Sequence, residues 1–356
     1  MELTNKVIRI KDIAVKARVS TGTVDRVIHN RGGVSLKVKE RVLKIIKDTN
    51  YEPNYSARAL GTKKTYIIAA LIPDYPNESY WFESKLGIEQ AERDLKQYGV
   101  IVSLFLFNQD DSMSYIEQAR RVSKLRPDGV IVSPLFYKET LPFFEEWNAL
   151  KIPFVIFNTQ INEYNPLSYI GQDSYQSGLL AAGLMHYGQD DPCTLLVAHI
   201  NADLSNSRHL IKKEQGFKSY FIQNNLSQKF AVNSVTLQGN DSSSFTKQMD
   251  YVLENSDNLK GIYVTTSRSY MIAKYLEQRH ITSIKIIGYD LIPANVHFLN
   301  KKIISFLINQ NPKGQGYWSI HHLVDHLVFK KEVPEIKYLP LDVVTKENVN
   351  YYLGDD

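Results

Sequence analysis

Ile10-Lys-Asp-Ile-Ala-Val-Lys-Ala-Arg-Val-Ser-Thr-Gly-Thr-Val-Asp-Arg-Val-Ile-His29 holds two short runs of helical periodicity separated by a break. In the first run, Ile10, Ile13, Ala14 and Ala17 recur at the spacing that gathers side chains on one helix face. Arg18-Val19-Ser20 interrupts it. Ser20 is a good N-cap for the second run, 21–29, whose inward face is Val24, Val27 and Ile28. Two amphipathic helices joined by so short a turn are the pattern of a helix-turn-helix. After Gly32-Gly33, Ser35 is placed to cap a third helix over 36–49, with Val38, Val42, Ile45 and Ile46 inward and Lys37, Lys39, Arg41, Lys44 and Lys47 outward. Three such helices can close a small core of their own.

In a helix-turn-helix the exposed N-terminal residues of the second helix meet base edges in the major groove, while cations and the helix N-terminus hold phosphates. Thr21, Gly22 and Arg26 are the candidate readers: a hydroxyl, a close-approach position and a guanidinium that reaches guanine or phosphate. Ser20, Thr23, His29 and Ser35 suit phosphate oxygens, with capping alone as the competing role for Thr23 and Ser35. Charge supports this reading. The whole chain of 356 residues is only +4, but residues 1–64 carry fifteen Lys/Arg against six Asp/Glu and the remainder 27 against 32. A basic head on an acidic body reads as a nucleic-acid module joined to something that is not one.

The ordered set Asp12-Ile13-Ala14, Val19-Ser20, Thr23-Val24, Arg26-Val27-Ile28, Val34-Ser35, Arg41-Val42, Tyr51-Glu-Pro-Asn54 and Ala57-Arg58-Ala-Leu60 resembles the headpiece of the LacI/GalR transcription regulators. The resemblance implies that 1–53 is a DNA-binding headpiece and that 54–64 holds a hinge helix and linker. Residues 54–61 are too few for a stable isolated helix. By the resemblance they order on the operator, with Asn54 at their start, Ala57 letting paired hinges approach and Leu60 wedging the minor groove open. Leu60 as a plain anchor onto the body is the alternative. Asp25 departs from the family pattern, which commonly has a small hydroxyl residue there. Its carboxylate can repel phosphate, accept from a cytosine amino group, or pair locally on the surface.

From residue 65 onward, apolar strand-like runs alternate with amphipathic helices. The runs fall at 67–72, 100–107, 129–133, 154–157, 169–171, 194–199, 232–237, 261–265, 284–288 and 303–308, with helices such as 81–97, 114–125, 175–187, 212–223 and 270–279 between them. Ten buried strands in that rhythm predict parallel α/β layers split into two Rossmann-like lobes with a ligand cleft at the strand carboxyl ends. The turn-rich Gly188-Gln-Asp-Asp-Pro192 marks the break. The expected N-lobe is about 65–187 with 310–330, and the C-lobe about 188–309 with 331–356.

Ile170-Gly-Gln-Asp173, Glu214-Gln-Gly-Phe217, Ile287-Gly-Tyr-Asp290 and Asn309-Gln310 resemble the periplasmic sugar-binding fold that these regulators reuse. The resemblance places Asp173, Asp290 and Gln310 at strand ends lining the cleft, with Asn158 beside them and Tyr80, Trp81 and Phe82 where aromatics stack on sugar rings. Carboxylates and amides serve vicinal hydroxyls, and an aromatic face covers the apolar side of a ring. Helix capping by Asp173 and core packing by Trp81 are the competing roles. Lys213 stands where the fold usually supplies an arginine, and Thr265-Thr266-Ser267 where it usually has Asn-Asp, which makes Thr266 the candidate there.

Other classes are poorly supported. The single Cys193 cannot form an intramolecular disulfide or a thiolate metal site. His321 and His322 are adjacent and point to different helix faces, Gly314-Gln-Gly316 lacks the dinucleotide fingerprint, and no nucleophile elbow or P-loop occurs. The chain start lacks a signal-peptide core, and no uncharged apolar run reaches about 18 residues. The expectation is therefore a cytoplasmic, non-enzymatic repressor without cofactor or metal. It binds a pseudo-palindromic DNA operator as a homodimer or higher oligomer and answers to a small carbohydrate. A freestanding solute receptor or an enzyme on the same two-lobed fold is the alternative, and neither has a use for the basic head.

Overall fold

A computed structural model of the chain describes residues 8–28, 31–49, 51, 64–75, 79–161, 163–201, 204, 206–239 and 241–353. His29, Asn54, Ala57, Leu60 and the expected hinge helix lie outside the described residues. Two compact units divide between Thr62 and Lys63.

The first unit contains α1 (Ile10–Ala17), α2 (Thr21–Ile28) and α3 (Leu36–Asp48). Ile13, Ala14 and Ala17 of α1 meet Val24 and Val27 of α2 and Val42 of α3 in one buried cluster, so the apolar stripes of the sequence become the core. Arg18 ends α1 in the left-handed region at φ 50°, with its N–H donating back to the Ala14 and Val15 carbonyls. That reversal lets α2 start after only three residues.

The second unit holds two lobes, each a sheet with helices on both faces. The first lobe begins with β1 (Tyr66–Pro73), α4 (Ser79–Leu95), β2 (Val100–Phe107), α5 (Ser112–Leu125), β3 (Gly129–Val132), α6 (Tyr137–Ala149), β4 (Phe154–Phe157) and β5 (Ser168–Gly171). The second runs through α7 (Ser174–His186), β6 (Cys193–Ile200), α8 (Arg208–Gln223), β7 (Phe230–Leu237), α9 (Ser242–Glu254), β8 (Leu259–Val264), α10 (Ser269–Gln278), β9 (Lys285–Tyr289), α11 (Pro293–Asn300) and β10 (Phe306–Asn309). The chain then returns for α12 (Pro312–Leu327) and β11 (Ile336–Tyr338), and ends with β12 (Asp342–Val344) and α13 (Asn350–Leu353). Strand orders are β11-β5-β4-β3-β1-β2 and β12-β10-β9-β8-β6-β7. Every pairing is parallel except that of β12 with β10. Parallel strands covered on both faces are why the runs read as continuously apolar rather than alternating.

The lobe boundaries differ from the sequence expectation. The first crossing comes at Gln172-Asp173, not near 188, because α7 packs on the second lobe: its Ala181, Ala182 and Met185 share a core with Leu195, Val197, Phe217 and Phe221. Strand–helix alternation shows that a helix covers a sheet but not which sheet. The last segment also divides differently, since β11 pairs with β5 in the first lobe and only β12 joins the second. Gly178 of α7 and Gly216 of α8 let those helices touch backbone to backbone; a Cβ on either would collide with a carbonyl oxygen of the other helix, that of Lys213 or of Tyr175. Gly87 and Gly316 do the same for α4 and α12 in the first lobe.

Candidate functional site

Between the lobes lies a cavity of about 610 Å³, built almost wholly from residues just past strand carboxyl ends. The first lobe contributes Gln109 and Asp110 after β2, Leu135 and Phe136 after β3 and Asn158 after β4, with Tyr80 and Trp81 from the first turn of α4. The second contributes Ile200 at the end of β6 and Asn201 after it, Gln238 after β7, Thr265–Arg268 after β8 and Asp290 after β9. Asn206, Ser207, His209, Leu210 and Lys213 come from the start of α8 and the residues before it, and Gln310 from the second crossing. In doubly wound sheets this is where successive connections diverge and leave a crevice.

Seven of the nine residues expected in the cleft line it: Tyr80, Trp81, Asn158, Lys213, Thr266, Asp290 and Gln310. Phe82 does not; it is 41% exposed beside Tyr75, because one helical step past Trp81 turns the side chain away from the cleft. Asp173 does not either, since its carboxylate caps α7 by accepting from the N–H groups of Tyr175 and Gln176 at 2.9 and 3.1 Å. Trp81 is both core and lining. It is buried edge-on to Tyr80 and Phe157 while its indole N–H donates to Gln109 Oε1 at 3.2 Å.

Lys213 is the cleft's buried cation, 3% exposed. Its Nζ donates to the Thr265 carbonyl at 3.2 Å and to Gln310 Oε1 at 3.3 Å. Gln310 in turn donates from Nε2 to Asp290 Oδ2 at 2.8 Å, so one amide stands between ammonium and carboxylate. Burial pushes the Lys213 ammonium down from 10.5 to about 8, with Asp290 pulling it back up. His209 is pushed down to about 3 by burial, then by Lys213 and His199, and is therefore a neutral ring at physiological pH. Asn158 donates from Nδ2 to the Tyr80 hydroxyl at 2.6 Å. Arg268 Nη2 faces Asp110 Oδ1 across the cleft at 3.9 Å.

Behind the lining, His199 lies between Thr265 Oγ1 (Nδ1, 2.8 Å) and Glu214 Oε2 (Nε2, 2.8 Å). Burial works against the Glu214 carboxylate, but hydrogen bonds from Lys218, Ser234 and His199 outweigh it and hold that group down at about 2. Gln109, Asp110, Phe136, Asn201, Asn206, His209, Gln238 and Arg268 escaped the sequence reading. The available signal was positional: most of them lie within five residues of a strand end.

In the first unit, Thr21, Gly22 and Arg26 are exposed at the start of α2 or along it, opposite the buried Val24 and Val27. Ser20 Oγ accepts from the Thr23 N–H at 3.1 Å and lies 3.0 Å from Thr23 Oγ1, so this pair does cap α2. Ser35, by contrast, makes no side-chain cap hydrogen bond to α3. Asp25 Oδ2 is 3.4 Å from Arg31 Nη1, the local surface pairing that was one of its three readings.

Residues 9–54 match the bacterial regulatory proteins of the lacI family, and residues 68–331 match the periplasmic binding protein domain. The chain belongs to the LacI family. A candidate LacI transcriptional regulator from Bacteroides fragilis superposes with a TM-score of 0.74 at 30% identity, covering 81% of this chain and all of that one. The sucrose operon repressor of Streptococcus mutans is 28% identical over 96% of this chain and 100% of its own. The ribose operon repressor of Halalkalibacterium halodurans is 28% identical over 80% of each. As a LacI-family protein, the chain is a DNA-binding transcription regulator and not an enzyme. Among the described residues no helix is long and apolar enough to cross a membrane, and no cluster of three or more His, Cys, Asp or Glu could hold a metal.

Proposed function

We propose that this regulator is a repressor which acts in the cytoplasm as a homodimer. Each headpiece reads one half of a pseudo-palindromic operator through Thr21, Gly22 and Arg26, and paired hinges carrying Asn54, Ala57 and Leu60 wedge the centre. Operator affinity is set by an uncharged sugar or related polyol bound between the lobes. The chemistry of the cleft lining carries the ligand half of this reading. Six amides (Gln109, Asn158, Asn201, Asn206, Gln238 and Gln310) line it, and its two cations, Lys213 and Arg268, are matched by two carboxylates, Asp290 and Asp110. Amides both donate and accept, as vicinal hydroxyls require, whereas a phosphate or uronate would need surplus positive charge. The indole of Trp81 offers an apolar surface for a sugar ring. Two relatives are named for ribose and sucrose operons, which agrees with that ligand class.

Effector and operator communicate through lobe closure and hinge spacing. A coupling of about 1–3 kcal/mol would alter operator affinity roughly 5- to 150-fold. The test is a thermal-shift screen of the full chain against neutral pentoses, hexoses and disaccharides beside their phosphates, followed by operator binding with each hit. A neutral sugar that stabilises the protein and changes operator affinity supports the reading, and binding of phosphates alone refutes the ligand class.

A further inference from the structure

Helix α6 begins without a cap of its own. Phe136 occupies its N-cap position and has no side-chain acceptor for the free N–H groups of the first turn. Those groups are served from the other lobe. The Asn206 carbonyl accepts from the Tyr137 N–H at 3.4 Å and Asn206 Oδ1 from the Lys138 N–H at 2.9 Å, while Asn206 Nδ2 donates to Glu139 Oε2 at 2.8 Å. Asn206 is 7% exposed, so these bonds are shielded from water. Residues around it extend the grip. Arg208 Nη1 and the Tyr137 hydroxyl both reach Glu163 Oε1 at 2.7 Å, and the guanidinium lies 3.7 Å from the centre of the Tyr137 ring. Arg208 and Glu163 are 49% and 39% exposed, and a solvated pair of that kind contributes little. The buried amide is the stronger half.

We propose that Asn206 is a helix cap supplied across the cleft, so that closing the lobes completes α6 and opening them strips it. The same short segment faces the cavity through Asn206, Ser207, His209 and Leu210. A ligand touching that segment therefore presses on the cap, and ligand contact becomes lobe closure through one asparagine. This link to ligand rests on the function proposed above; the cap itself does not. Asn206 is thus a positioning residue for closure.

Pulsed electron-spin distance measurement on the full chain tests it, with spin labels on Met113→Cys of α5 and Tyr251→Cys of α9, both exposed, and with Cys193 buried. In that background Asn206→Ala should raise the ratio of long (open) to short (closed) distances about fivefold, the change expected from loss of one helix cap. Glu139→Ala should shift it in the same direction by less, and Glu139→Gln, which keeps an acceptor for Nδ2, should restore the parent distribution. A purely structural role would lower the melting temperature without moving the distances. Unchanged distances in Asn206→Ala overturn the proposal, and if that variant does not fold, unchanged distances in Glu139→Ala do so. Distances that respond in a chain that binds no sugar would leave the cap standing and remove the ligand reading alone.

Discussion

Lys213 Nζ lies 3.5 Å from the centre of the Tyr289 ring and donates to two neutral oxygens, the Thr265 carbonyl and Gln310 Oε1. The ring face and the acceptors favour the ammonium, and burial disfavours it more. A charged group held so far below its ordinary value makes the fold itself sensitive to alkali.

Below pH 8 Lys213 is protonated in both folded and unfolded chains, and its full burial cost is present. Between about 8 and 10.5 only the unfolded chain keeps that proton, so stability rises with pH, by roughly 1 kcal/mol per pH unit. The buried Tyr80 and Tyr263, whose pKa values are raised by desolvation, oppose this from about pH 10 upward because the unfolded chain then ionises first. Urea denaturation from pH 7.5 to 9.5 should show the rise, and Lys213→Met should flatten it. A wild-type curve already flat over that range would contradict the burial argument.

Asp290 sits at φ 68°, a backbone region that asparagine tolerates better than alanine. Asp290→Asn therefore keeps the turn and an acceptor for Gln310 while removing the carboxylate that supports the Lys213 charge. Effector binding should weaken by about 2 kcal/mol, measured by calorimetry, with operator affinity in the absence of effector unchanged. Loss of operator binding as well would show that Asp290 is needed for folding rather than for the ligand.

Arg26 is exposed on α2, on the face opposite the buried Val24 and Val27. Arg26→Ala should cost roughly 1–3 kcal/mol on the specific operator and much less on random DNA if the side chain reads a base. Equal losses on both would make it a phosphate clamp. Affinity of the parent should also fall steeply with salt, at about −0.9 in log–log slope per phosphate neutralised.

Gly216 meets the backbone of α7 at the Tyr175 carbonyl, which cannot yield as a flexible side chain would. Gly216→Ala should destabilise the chain by about 3 kcal/mol, seen as a lower denaturation midpoint with an unchanged m-value. Gly183→Ala on α7, which would meet only the Tyr220 ring at ordinary contact distance, should be close to neutral.

The headpiece was legible because its stripes are local: Ile13, Ala14 and Ala17, then Val24 and Val27, need only helical spacing to find one another. The α/β body was legible from its strand rhythm, and Asp290 and Gln310 could be placed on the cleft lining because strand-end words surround them, Lys213 because it precedes the helical word Glu214-Gln-Gly-Phe217. Asp173 belonged to the same class of words yet caps a helix, since an acceptor one residue ahead of a helix serves both ends equally well in sequence. Asn206 carried no local signal and Arg268 only its place shortly after β8; their partners, Lys138, Glu139 and Asp110, are on the opposite lobe, many residues away. The lobe assignment of α7 failed for the same reason, because Gly178 shows its purpose only beside Gly216.

The route of the chain between its lobes has a consequence for manufacture. α12, whose Leu323 packs over Gly129 of β3, and the edge strand β11 are made only after β10 of the second lobe is complete. A ribosome delivers the basic reader before the body, and the cover for the first sheet only after the strands β6 to β10 of the second. During that interval the newborn chain carries a DNA-binding head on a half-roofed body, and a transcript cut short after residue 309 would leave it permanently so. Such a fragment would expose the apolar faces of β3, β4 and β5, making it a substrate for chaperones and proteases before it could occupy an operator.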